Sequence, residues 1–156
     1  MKPKYVIIAP HADDEIIGCY ELLVTGKVDT VAFPNNDIIE EAIESSEFFG
    51  FNIETIEDVL INLTPNMVLL FPDPYFELHP EHRRWGSIGL DLARKGQKVI
   101  FYTTSMNSPY LREAAQPGKK KDVLDTIYPK KSDLWKYDHK YFLFEGQLQW
   151  IMTWDD

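Results

Sequence analysis

One cysteine, no long apolar run and a shortage of positive charge mark what this chain lacks. The lone Cys19 excludes an intrachain disulfide and gives no sign of an oxidising compartment. Set among Ile16, Ile17, Tyr20 and Leu23 in an expected helix, it reads as a buried structural thiol. No stretch approaches the ~20 consecutive apolar residues of a membrane-spanning helix. Pro10 and the acidic residues after it interrupt the first apolar run too early for a secretory leader. A cytoplasmic protein without membrane insertion is the expectation. Lys and Arg number 16 against 25 Asp and Glu, for a formal net charge of −9. General affinity for nucleic acid or an anionic membrane surface needs a positive field and is not expected. A small polar substrate stays open.

What is present suits a folded enzyme-sized unit. A length of 156 residues, with ordinary apolar and charged fractions, predicts a single domain over residues 1–156 with a substantial core. Residues 5–9 form a short apolar run of the kind that is covered on both sheet faces. From Asp14 the apolar positions recur at helical spacing until Gly26. Strands are then expected at 28–33, 52–56 (weakly), 67–71 and 98–103. Helices are expected at 38–49, with Ala42, Ile43, Ser46 and Phe49 on one face, and from Pro80 to Gly96. The latter starts with His79 as N-cap and Pro80 at the first helical position. Strands alternating with helices over short connections predict an α/β fold, a mostly parallel sheet with helices on both faces.

Beyond Ser108 the pattern weakens. Residues 116–121 read as a loop whose lysines form a solvated turn or, alternatively, touch an anionic part of a substrate. A short helix is expected at 122–128, a late strand at 141–144, and a packed end around Trp150 and Trp154.

Chemistry concentrates in two short motifs. His11, Asp13 and Asp14 follow the first strand, and His79 and His82 open the helix after the strand at 67–71. In open α/β sheets the carboxyl ends of strands border the ligand crevice, so both motifs belong to one edge. A catalytic zinc takes three nitrogen or oxygen ligands and keeps one open position. His11, Asp14 and His82 supply such a set, with Asp13 and His79 flanking the opening. Glu15 reads as helix-start electrostatics.

Residues 10–15, Pro-His-Ala-Asp-Asp-Glu, with the later His79-Pro80-Glu81-His82, resemble the PIG-L/LmbE family of zinc-dependent N-acetylglucosamine deacetylases. The resemblance implies a Rossmann-like fold and hydrolysis of the amide of an N-acetylated amino sugar or related small conjugate, with metal-bound water as nucleophile. It implies that His11, Asp14 and His82 bind Zn2+ or Fe2+, and that Asp13 is the general base. His79 would stabilise the oxyanion or protonate the leaving amine. Ala12 stands where the family has proline, Glu81 where it has aspartate, and Ile38 where many members carry arginine. Tyr75, Phe76, Tyr110 and Trp135 are candidates for a sugar platform or for ordinary packing. His139 is a surface or supporting residue. Two other readings use the same residues: a phosphoester hydrolase, and a non-catalytic binding module with a structural metal.

Overall fold

The computed structural model describes residues 2–105 and 107–149. The first apolar run becomes strand β1 (Lys4–Ile8), at the centre of the sheet. It pairs in parallel with β2 (Val28–Phe33) on one side and β4 (Met67–Pro72) on the other. Beyond β2 lies β3 (Asn52–Thr55), and beyond β4 lies β5 (Lys98–Thr103), both parallel to their neighbours. The order is completed by β7 (Phe144–Gln149), antiparallel to β5, and the two-residue β6 (Arg112–Glu113). The sheet therefore runs β3-β2-β1-β4-β5-β7-β6. This is a Rossmann-like, mostly parallel arrangement whose strand order reverses between β1 and β4.

Side-chain alternation along β1 divides the core. Ile7 packs with Ile16, Tyr20 and Leu23 of α1 (Asp14–Val24) and with Ala42 of α2 (Glu40–Phe49). The same cluster takes in Leu124 and Ile127 of α5 (Pro117–Ile127), Trp135 of α6 (Asp133–Tyr137) and Phe142 of α7 (Lys140–Leu143). Val6 and Ile8 face the other way, against Ile56 and Val59 of α3 (Ile56–Ile61) and Leu90 and Ala93 of α4 (Pro80–Arg94). Burial on both faces is why β1 and β4 read as continuous apolar runs.

Three expectations are corrected. In α2 Ile43 is exposed and Ser45 is buried beside Ala42, with Ser46 and Phe49 half-buried on the same face as expected. Residues 117–121 are not a loop, because Pro117 takes the first position of α5 and Lys120 is fully buried. Residues 140–143 are one helical turn, with the strand beginning at Phe144. The Trp150 and Trp154 end lies outside the described residues.

Candidate metal centre

The turn after β1 is held by its own backbone and by partners far away in sequence. Asp13 has φ 109°, the only non-glycine residue with positive φ among the described residues. That conformation is disfavoured for most side chains, and aspartate is among those that tolerate it best. It is fixed by the Asp13 amide donating to Glu15 Oε1 at 2.9 Å, and by the Ala12 amide donating to Asp37 Oδ2 at 2.9 Å. Glu15 is more than helix-start electrostatics: it is fully buried and also accepts from Ser45 Oγ at 2.8 Å and the Tyr128 hydroxyl at 2.6 Å. Burial raises its pKa and these hydrogen bonds pull it back.

Because β1 and β4 are neighbours, the two motifs meet. His82 Nε2 lies 3.0 Å from Asp14 Oδ2 and 3.3 Å from His11 Nδ1, and His11 Nδ1 lies 3.3 Å from Asp14 Oδ2. A tetrahedral zinc with bonds of ~2.0–2.1 Å has its ligand atoms about 3.3–3.4 Å apart. The triangle of two imidazole nitrogens and one carboxylate oxygen therefore fits a divalent ion such as zinc or iron(II). These three residues form the one such group among the described residues, with donor atoms within 4.8 Å of one another. No fourth protein ligand closes it there.

The electrostatics match a cation site. Burial would raise the Asp14 carboxyl, but His82 and His11 hold it well below the usual carboxylate range. Burial pulls the His82 imidazole down, yet Asp14 and Glu77 raise it to about 10. Metal-free, His82 thus carries a proton where the ion would sit. Asp13, also buried, is pushed well above its ordinary pKa by burial and by Asp14, while Lys131 draws it back. Lys131 Nζ stands 3.8 Å from Asp13 Oδ2 and donates to the Ala12 carbonyl.

His79 joins the group by ring contact, its centroid 4.8 Å from that of His11 and 5.2 Å from that of His82. As N-cap of α4 its Nδ1 accepts from the Glu81 amide at 3.1 Å. Burial and the neighbouring histidines lower its pKa. The neutral ring consequently carries its proton on Nε2.

The group opens into a cleft of about 830 Å³ whose walls include Leu78, Leu134 and Tyr141 and the cations Lys130, Lys131 and Lys140. Of the expected aromatic platform, Trp135 is buried in the core with its Nε1 donating to Asp125, and the Tyr110 hydroxyl donates to Asp73. Tyr75 and Phe76 are exposed and do not line this cleft; Tyr141 does. His139 is exposed at the start of α7, against Phe142. Ile38 packs against the core, and Lys131 is a cation beside Asp13. Sequence reasoning passes over Lys131, Glu15 as a buried hub, and Glu77, whose carboxylate contacts His82. Glu15 and Lys131 take their partners from distant segments, so no local spacing marks them, while Glu77 lies only five residues before His82 but in a loop without a regular period.

No protein-family model, curated protein or solved structure matches the chain. What stands is an α/β fold with a His-Asp-His cluster, at the reversal point of its sheet, that can coordinate a divalent metal.

Proposed function

We propose that the chain is a metal-dependent amidohydrolase that removes the acetyl group from an N-acetylated amino sugar or a related small conjugate. The observation that carries this reading is the His11, Asp14 and His82 triangle, open on one side to the cleft and flanked there by Asp13. The resemblance of residues 10–15 and 79–82 to the PIG-L/LmbE deacetylases supports it. A zinc or iron(II) ion in that triangle would supply Lewis acidity, easing deprotonation of water and polarising a carbonyl. Asp13 accepts the proton of the water that attacks the amide carbon. A buried carboxylate lining the cleft beside the three donors suits that task. His79 donates its Nε2 proton as a hydrogen bond to the carbonyl oxygen while negative charge develops there. The proton held by Asp13 then passes to the departing amine, so the products are acetate and the free amine. Lys131 takes up the electrostatic part vacated by the family arginine, since it is the cation beside Asp13.

The test is acetate release from a panel of N-acetyl amino sugars by protein reconstituted with zinc or iron(II). Asp13→Ala is expected to cost roughly 10²- to 10⁴-fold in rate, the usual range for a general base, and His82→Ala to lose metal as well. Absence of acetate from every member of the panel sinks the substrate assignment. The phosphoester-hydrolase reading gains from Lys130, Lys131 and Lys140 in the cleft wall. Phosphate release from an aryl phosphate, with no acetate from the panel, would favour it.

A further inference from the structure

Glu77 lies in the loop between β4 and α4 and is 2% exposed. A carboxylate so placed needs its lone pairs satisfied, and here the donors are assembled around it. Oε1 accepts from the Thr104 hydroxyl at 2.7 Å and, together with Oε2, from the Thr104 amide at 3.1 Å. Oε2 also accepts from the Thr103 hydroxyl at 3.3 Å. The backbone of the loop is pinned as well, with Arg83 Nη1 donating to the Glu77 carbonyl at 2.9 Å and the Leu78 carbonyl at 2.8 Å. The carboxylate also contacts His82, whose Nδ1 lies 3.0 Å from Oε1.

We infer that Glu77 is a positioning residue for the metal ligand His82, fixing the ring's tautomer and aim from behind. This rests on the metal-site reading of the proposed function and deepens it. A carboxylate only accepts, so Nδ1 must be the donor of the 3.0 Å contact. Nε2 is then the nitrogen left to bind the metal, and it faces Asp14 Oδ2 and His11 Nδ1. Hydrogen-bonded from the rear, the imidazole is also a stronger electron-pair donor at Nε2. Thr103 and Thr104, at the end of β5, hold the carboxylate in its turn, so the aim of a ligand on α4 is set by the strand that follows that helix. A buried Glu whose only work was to tie a loop to β5 would need Thr103 and Thr104 but not the imidazole.

The experiment measures zinc affinity of the full chain by competition with a chelator, for wild type, Glu77→Ala and Glu77→Gln, alongside far-UV circular dichroism and melting temperature. Removing an outer partner of a metal-bound histidine weakens binding by roughly 10- to 100-fold. Glu77→Ala is expected in that range. Glu77→Gln keeps one neutral acceptor for Nδ1–H and should fall between Ala and wild type. Should Glu77→Ala fail to fold, the near-isosteric Gln variant still decides. Imidazole nitrogen NMR of the zinc-loaded wild type supplies an independent reading, with His82 expected to carry its proton on Nδ1. Zinc affinity equal to wild type in folded variants, or a His82 proton on Nε2 in the loaded protein, overturns the inference. Failure of the wild type itself to bind zinc removes the metal reading, and this inference with it.

Discussion

Asp13 is buried beside Asp14 and has Lys131 Nζ at 3.8 Å, so burial and a like charge raise its pKa while one cation lowers it. In the role proposed for it Asp13 works only when deprotonated, so its titration sets part of the rising limb of kcat/KM against pH. Lys131→Met removes the lowering influence, and Asp13 must then lose its proton at still higher pH. The expected outcome is an upward displacement of that limb, with most of the rate recovered at pH values above it. A limb that stays in place or moves down would show that Lys131 does not act on Asp13. The same residue scale shows why some of the site is legible in sequence and some is not. His11, Asp13 and Asp14 sit directly after one apolar strand run, His79 and His82 open the helix that follows another, and that local order assigns them to one edge. Glu15 contacts Ser45 and Tyr128, 30 and 113 positions away, and Lys131 reaches Ala12 across 119. Such contacts leave no mark in any short window.

At the scale of elements, α5 is tied to its surroundings by a charge. Lys120 and Glu145 are both fully buried, their side chains 2.9 Å apart. Lys120 Nζ also donates to the Ile17 carbonyl at 2.7 Å and the Phe144 carbonyl at 3.2 Å, so it joins α5, α1 and β7. Removing one partner of such a pair strands a buried charge, so Lys120→Met should cost about 3–5 kcal/mol in denaturant unfolding. Lys120→Met with Glu145→Gln should cost less than the single change; equal losses would show that the charge is not the issue. This pair also explains the misread region. A buried lysine beside Gly118 and two further lysines looks like a solvated turn, and a buried glutamate breaks the apolar alternation expected of β7. The close approach of α4 to the chain after β4 makes a second prediction. A Cβ on Gly86 would meet the Pro72 carbonyl oxygen at 2.5 Å and the Pro74 nitrogen at 2.6 Å, main-chain atoms with little freedom to yield. Gly86→Ala should therefore destabilise by about 1–3 kcal/mol and weaken metal binding, because His82 lies one turn away on the same helix. Gly118→Ala, whose Cβ meets nothing within 4 Å, is the matched control and should be neutral or slightly stabilising.

Across the whole molecule, the three donors join the two sides of the sheet. His11 and Asp14 belong to the β1–α1 turn, and His82 to α4, which packs on the opposite face. Without metal this junction is an imidazolium facing a carboxylate. His82, raised from 6.5 to about 10, contributes stability that is fully present below about 6.5 and lost as pH rises through about 10. Asp14, lowered from 3.8, contributes stability present above 3.8 and lost as pH falls through its depressed value. The metal-free protein should accordingly be least supported at this junction in alkaline solution. A divalent ion replaces the His82 proton and is favoured as pH rises, so it restores the link where the proton fails. Free zinc at 100 times its dissociation constant adds about 2.7 kcal/mol. For a chain of this size that amounts to roughly 5–10 °C in Tm, at about 2–4 °C per kcal/mol. The difference in Tm between zinc-loaded and chelator-treated protein should be small near pH 6 and grow toward pH 9. Chelator and zinc curves that coincide across that range would show that the two sides of the sheet are not joined through these residues by a metal.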